Sequence, residues 1–534
     1  MMLLTTLFCS IALQAGAHTE IHEADFAMHV QTLSSDAFEG RGPVSKGEEV
    51  TVNYLAQQFE AAGLEAGNGD SWFQQVPLLQ TTPTGAPEVS LSNDSELVFG
   101  RDLMLWSPVA DGKIMLRGSE LVFVGYGIVA PEFGWNDYAD VDVTGKTVVI
   151  LVNDPGFATQ DPKLFSGNAM TYYGRWTYKY EEARRQGAAA ALVVHEEAAA
   201  GYPWTVVLRS WGGSRFGLDS GKSDDTTSIE GWITEEAAIR SFASAGKDFA
   251  ALSERAKTAG APPIILGVQA NFALTNRSTR SMTRNVVARL KGAERPDEHV
   301  LFCAHWDHLG RKGGGEDDIY NGAVDNATGC AALLELAQSF GAGPRPARSI
   351  LFLAFSAEES GLLGSRWYAQ QPVYPLDKTA AGINMDVMNI HGRMQDVVVV
   401  GMGASELDDY LAEAAAVQGR TLAAEASPEK GSFYRSDHFN FAKKGVPMLY
   451  ASGGTTSREH GADWVKQRQA DYTRSRYHQP SDEFDPSWDL SGAIEDIRLY
   501  EAIGRRIARE RHWPRWRAGN EFEAARQASS ESRR

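Results

Sequence analysis

Residues 301–310, LFCAHWDHLG, run apolar for four positions and then present His305, Asp307 and His308. Histidine at a strand end and aspartate in a turn occur for structural reasons alone. Neutral imidazole and carboxylate are also the usual ligands of zinc. Four other stretches carry the same residue types. They are Asp325 in GAVDNATG (322–329), the pair Glu358-Glu359 after SILFLAF, Asp386 at the end of AAGINMD, and His478 in YHQPSDEF. Two histidines and three carboxylates suffice for two zinc ions if one carboxylate bridges them. Metals paired about 3.5–4 Å apart acidify a shared water and stabilise both attacking and leaving oxygens. The adjacent Glu358 and Glu359 supply one acid more than the ligands need. Neighbours leaving a strand point in different directions, so one can bind metal while the other takes a proton.

The surrounding pattern supplies elements that could bring these groups together. HVLFCAH (299–305) and SILFLAF (349–355) are unbroken apolar runs, as expected of strands buried on both faces. AAGINMD (380–386), DVVVVG (396–401) and VPMLYA (446–451) read as further strands. Cys330, Leu333, Leu334, Ala337 and Phe340 recur at helical spacing between the first two runs, and Val52, Leu55 and Phe59 do so earlier, with Gly63 as a stop. This is an α/β pattern with a mixed, largely parallel sheet flanked by helices, in which sites form beyond the carboxyl ends of strands. Each candidate acid or histidine sits at such an end or in a turn beside one. From 119 to 262 the texture differs: short β-like pieces with turn punctuation, closed by GAPP, read as an inserted β-rich block. Within it His195-Glu196-Glu197 reads as solvent-facing, because no second histidine follows at helical spacing.

Composition excludes some partners. The 534 residues carry a formal charge of -18, which opposes nucleic acid or an anionic membrane as the main partner. At 43% hydrophobic and 22% charged, the chain is ordinary for a globular enzyme. Its length predicts more than one domain. Leu3 to Leu13 followed by Ala15-Gly16-Ala17 resembles a secretory signal over 1–17, implying a secreted or periplasmic protein. No later apolar run is long enough to span a membrane. Cys303 and Cys330 lie in apolar surroundings and read as two buried thiols.

HWDHLG, NGAVDNATG, SAEESGLLGS, NMDV, YRSDHFNF and YHQPSD, in that order, resemble the co-catalytic double-zinc aminopeptidase family, and DAFEGRG (36–42) extends the resemblance towards the N-terminus. Within that family, the chain is similar to bacterial secreted members with an inserted protease-associated domain. The resemblance implies a zinc exopeptidase-like fold. Its parts would be a peptidase domain over 18–118 and 263–515, a protease-associated domain over 119–262, and a tail over 516–534. It implies two Zn2+ ions, one held by His305 and Asp386, the other by Glu359 and His478, with Asp325 as the bridge. It makes Glu358 the general acid/base and has Asp307 hold His305. His308 could replace His305, although it lies further from the strand end. Tyr434, Arg435 and His438 are candidates for substrate contact, and His391 and His460 read as ordinary loop histidines. The Asp325–Asn326 peptide is expected to be cis. The implied activity is hydrolysis of N-terminal residues from peptide substrates. A carboxypeptidase or dipeptidase on the same centre, a one-zinc cyclase and a non-catalytic receptor remain as alternatives. Side-chain preference and oligomeric state are not legible.

Overall fold

A computed structural model describes residues 21–533 apart from 94, 221–226, 314 and 316. The expected signal segment, 1–17, lies outside the described residues. Two lobes share one 16-stranded sheet. In chain order its strands include β1 (Phe73–Pro83), β2 (Leu103–Trp106), β3 (Gly112–Phe123), β4 (Thr147–Leu151), β5 (Ala190–His195) and β6 (Ile229–Thr234). They continue with β7 (Ile264–Leu290), β8 (Arg295–His305), β9 (Arg348–Phe355), β10 (Thr379–Asn384), β11 (Asp396–Val399), β12 (Thr421–Ala424) and β13 (Met448–Ser452). The spatial order is β12-β11-β13-β10-β8-β9-β7-β3-β4-β5-β6-β2, with β1 paired to β7 off this path. The 27-residue β7 joins the lobes: its end, Val286–Leu290, pairs with β9, and its start pairs with β3.

In the larger lobe β8 runs parallel to β9 and β10, and β10 parallel to β13. Every residue of β9 and of β10 is buried, which explains their unbroken apolar sequences. Helices α1 (Glu23–Leu33), α2 (Lys46–Ala61), α3 (Thr328–Ala342) and α4 (Ser491–Arg509) cover this sheet. Their apolar faces, among them Phe26, Leu55, Leu333 and Tyr500, meet Phe302 and Phe352 in one core. Cys303 and Cys330 are free and buried. No helix among the described residues is long and apolar enough to cross a membrane.

The smaller lobe draws residues from beyond the 119–262 block. Leu91, Leu103 and Leu105 on one side, and Leu266, Phe272 and Leu274 on the other, pack into the core under its sheet. Strand pairing causes this: β2 closes the far edge against β6, and β7 closes the near edge against β3. His195 is 6% exposed and packs against Tyr202, Trp204 and Trp232, so the solvent-facing reading of 195–197 is corrected for its first residue. Residues after 515 are docked on both lobes. Trp516 and Phe522 join Met170, Phe433, Tyr434 and Phe439 in an interlobe cluster. Arg526, 4% exposed, donates to the carbonyls of Thr379 and Ala380. Across the same interface Lys443 donates to Glu181 at 3.0 Å.

Candidate metal centre

Register assembles the site. His305, the last residue of β8, pairs with Phe355, so the turn beyond β9 starts beside it. Cys303 pairs with Asn384, which carries Asp386 to the other flank of His305. Between β8 and α3, the turn bearing Asp325 is fixed from two sides. Asn326 accepts from the Gly329 and Val387 amides at 2.9 and 3.1 Å and donates to the Met385 carbonyl at 3.0 Å. Asp482 accepts from the amides of Val324 and Asp325, each at 3.2 Å. The Asp325–Asn326 peptide is cis. Ala357, Val387 and His478 take positive φ of 55°, 63° and 56°, which turns the chain sharply at or beside three of the candidate groups. Such conformations are uncommon for side chains with a Cβ and cluster at functional sites.

Five of the candidates converge in two groups. His305 Nε2 lies 3.3 Å from Asp386 Oδ1 and 3.5 Å from Asp325 Oδ1. His478 Nε2 lies 3.2 Å from Asp325 Oδ2 and 3.1 Å from Glu359 Oε2. The two Asp325 oxygens therefore face different imidazoles. Tetrahedral zinc bonds of about 2.0–2.1 Å place neighbouring ligand atoms roughly 3.3 Å apart. The observed separations match that spacing, and imidazole with carboxylate is a donor set suited to zinc, so the residues present fit such an ion.

Charge points the same way. Burial opposes protonation of His305, yet Glu358 and Asp386 hold its pKa well above the ordinary value. His478 behaves alike: against burial, Asp325 and Glu359 push it up to about 10. Burial raises Asp307 to about 8 and Asp437 to about 7, and it drives Glu358 well above the usual carboxylate range. Glu359 goes the other way, because His308 and His478 outweigh its burial. A buried cluster with more acids than bases favours either protons or cations.

Several residues take positions the sequence did not fix. His308 does not stand in for His305. Its Nδ1 is 2.7 Å from Glu359 Oε1, and with Asp325 and Glu359 it forms a second set of donors lying within 4.8 Å of one another. The Asp307 carboxylate is 3.9 Å from His305 Nδ1 and instead accepts from the Glu358 and Glu359 amides at 3.0 and 3.4 Å. The Asp307 carbonyl orients the ring, accepting from His305 Nδ1 at 3.1 Å. Tyr434 is buried in the interlobe cluster and donates to Glu521. His438 is fully buried against Phe433 and Tyr450, and burial lowers its pKa to about 3. Arg435 is exposed, and its charge reaches Tyr477, which stacks on His478 at 3.9 Å. His391 and His460 pack on Trp464, outside the converging set.

Sequence reasoning missed Arg41. It is 1% exposed, and its guanidinium donates to the carbonyls of Trp306, Leu33, Asn321 and Gly322 at 2.9, 2.8, 2.6 and 2.7 Å. Those bonds tie the segment after His305 to the turn before Asp325. The available signal was an arginine enclosed by small residues in DAFEGRG.

Comparison with known proteins bears out the family resemblance. Residues 285–502 match the family model described as Peptidase family M28. Over 103 residues, 19% of this chain and 22% of the relative, it is 42% identical to "Probable zinc metalloprotease" of Pyrenophora teres f. teres (strain 0-1). Over 127 residues, 23% of this chain and 16% of the relative, it is 33% identical to "Aminopeptidase NAALADL1" of Mus musculus. The chain thus spans about a fifth of the length of these relatives. Among solved structures, the aminopeptidase from Aneurinibacillus sp. strain AM-1 aligns over 92% of this chain and 96% of its own, at 20% identity and a TM-score of 0.46.

Proposed function

We propose, from the premise that residues 285–502 form a peptidase family M28 segment, that the protein is a zinc-dependent aminopeptidase removing N-terminal residues from peptides. The observation that carries this is the Asp325 carboxylate, whose two oxygens face His305 and His478 separately. In this reading His305 and Asp386 hold one Zn2+, Glu359 and His478 hold a second, and Asp325 is shared. Bound zinc supplies Lewis acidity, polarising a scissile carbonyl and acidifying water. Glu358 is the proton carrier. Burial raises its proton affinity, which suits a group that takes a proton from attacking water and returns it to the leaving amine. Asp307 fixes the base by accepting from the Glu358 amide, and its carbonyl keeps His305 Nε2 turned to the centre.

Val324 and Val387, the neighbours of Asp325 and Asp386, line a cavity of about 260 Å3 together with Met388, Ile390 and Val465. Those walls suit an apolar substrate side chain. Arg435 supports a second reading. A cation acting beside the Tyr477–His478 stack could hold a terminal carboxylate, as a carboxypeptidase or dipeptidase requires. The signal-like segment over 1–17 supports export from the cytoplasm, with N-terminal sequencing of the secreted protein as its check.

Three peptide series separate the activities. An aminopeptidase cleaves free and C-amidated peptides and rejects N-acetylated ones. A carboxypeptidase shows the reverse, and a dipeptidase needs both termini free. Equal turnover of N-acetylated and free peptides would overturn the proposal.

A further inference from the structure

Between the lobes lies a cavity of about 170 Å3 that the proposed reaction does not use. Trp106, Arg215 and Glu230 line it from the smaller lobe, and Ser360, Gly361 and Arg366 from the larger one. Ser360 and Gly361 directly follow Glu358-Glu359, and the Gly361 amide closes that turn on the Glu358 carbonyl at 2.8 Å.

Two opposite charges enter from one side without satisfying each other. The Arg215 guanidinium is clasped between the rings of Trp106 and Trp211, 4.6 and 4.5 Å from their centroids. Among the described residues its Nη1 is buried without a hydrogen-bond partner. Glu230 projects from β6, is 4% exposed, and its Oε1 is buried with no partner among the described residues. Burial raises the Glu230 carboxyl to about 7, with Arg215 and then Arg366 as the opposing charges. Buried polar groups nearly always find a partner, and two orphans of opposite sign facing one cavity mark a place for a molecule carrying both complements. The remaining wall is mixed: Phe216 and Leu363 lie beside Thr81, Thr177, Tyr180 and Glu181, the last already paired with Lys443 at 3.0 Å.

We propose that this cavity binds a free α-amino acid as its zwitterion, with the carboxylate on Arg215 and Arg366 and the ammonium on Glu230. A planar guanidinium fork matches a carboxylate, and a buried acid matches an ammonium. Because Ser360 and Gly361 form part of the wall, occupancy bears on the turn that carries Glu358, and the amino acid acts on turnover from outside the metal centre. The ligand class is the one the proposed aminopeptidase releases. That link rests on the reading above; the binding does not.

Calorimetry on the full zinc-loaded protein tests it, with leucine, leucinamide (no carboxylate) and N-acetylleucine (no ammonium) as probes. Leucine should bind, and each analogue should bind at least tenfold more weakly. Glu230→Gln and Arg215→Lys, checked for an unchanged thermal midpoint, should each weaken leucine at least tenfold while leaving peptide hydrolysis without added leucine unchanged. In the native protein, leucine should change kcat in a way that excess substrate does not reverse, and Glu230→Gln should abolish this. Two variants are used so that a folding defect in one leaves the other decisive. Leucine binding that both variants retain, or that is purely competitive with substrate, overturns the proposal and places leucine at the metal centre. No binding at millimolar leucine overturns it in favour of a water-filled cavity. Glu230-dependent binding in a protein that hydrolyses no peptide would instead sink the proposed function and leave this site standing.

Discussion

Replacing Arg41 by Met keeps an unbranched buried side chain and removes every donor. Four carbonyl oxygens, those of Leu33, Trp306, Asn321 and Gly322, then lose the bond from Arg41, and Gly322 keeps one from the Ala327 amide at 3.2 Å. Hydrogen bonds to a charged group contribute about 1.5–3 kcal/mol each, so four amount to about 6–12 kcal/mol gross. Burial of the guanidinium opposes this by several kcal/mol and already lowers its pKa. The expected net loss is about 3–5 kcal/mol, the range for breaking a buried charged network. Lys in place of Arg keeps the charge but donates from a single nitrogen. It cannot reach acceptors now served by Nε, Nη1 and Nη2, so about half the loss should remain. The consequence extends to metal affinity, because Trp306 lies between His305 and Asp307, and Gly322 opens the Asp325 turn. Outer partners of metal ligands are typically worth 10–100-fold in affinity. Zinc content after dialysis at fixed free zinc, with thermal midpoints, should rank wild type above Lys above Met. A Met variant with wild-type zinc content and a midpoint unchanged within about 1 °C would refute the reasoning, since a loss of this size moves the midpoint by several degrees.

Glu358→Gln should cut turnover by about 10²–10⁴-fold with zinc retained, whereas Glu359→Gln should lose zinc and recover part of its activity when zinc is added; the opposite pattern would exchange the two roles. Glu335 on α3 is 2% exposed, and burial raises its carboxyl from 4.5 to about 7. The native state therefore holds this proton where the unfolded chain has released it, so the stabilisation present below about pH 4.5 is lost as pH rises towards 7. Glu335→Gln should thus be more stable than wild type at pH 8 by about 2–3 kcal/mol and nearly equal at pH 4.5, and denaturation at both values reads this directly. Excising 119–262 should give an insoluble protein, because Leu91, Leu103 and Leu105 lose their core. Removing 85–274 should leave a soluble zinc-binding lobe, since Thr84 already donates to the Thr275 carbonyl at 2.8 Å; zinc-free aggregates from that deletion would show that the lobes fold only together.

The strands and the order of the candidate ligands were legible because both are local properties. An apolar run buried on both faces, as in SILFLAF, reads as a central strand wherever it pairs. An acid or histidine following such a run lies at the strand end by construction, as His305, Glu359 and Asp386 do. The positions that the sequence left open depend on distant pairing. His308 is three residues from His305, yet it reaches Glu359, because the β8–β9 register puts residue 305 beside residue 355. Tyr434 and His438 sit in a motif that reads like a cleft, but the tail beyond 515 and the smaller lobe cover Tyr434, and Phe433 and Tyr450 enclose His438. The lobe boundary was hidden for the same reason: β2 and the start of β7 belong to the smaller lobe only through pairing with β6 and β3. Residue types and strand ends are written into successive positions of the chain. Which side chain faces which, and whether Arg41 closes two loops or lies at the surface, is settled by hydrogen bonds and burial between segments hundreds of residues apart.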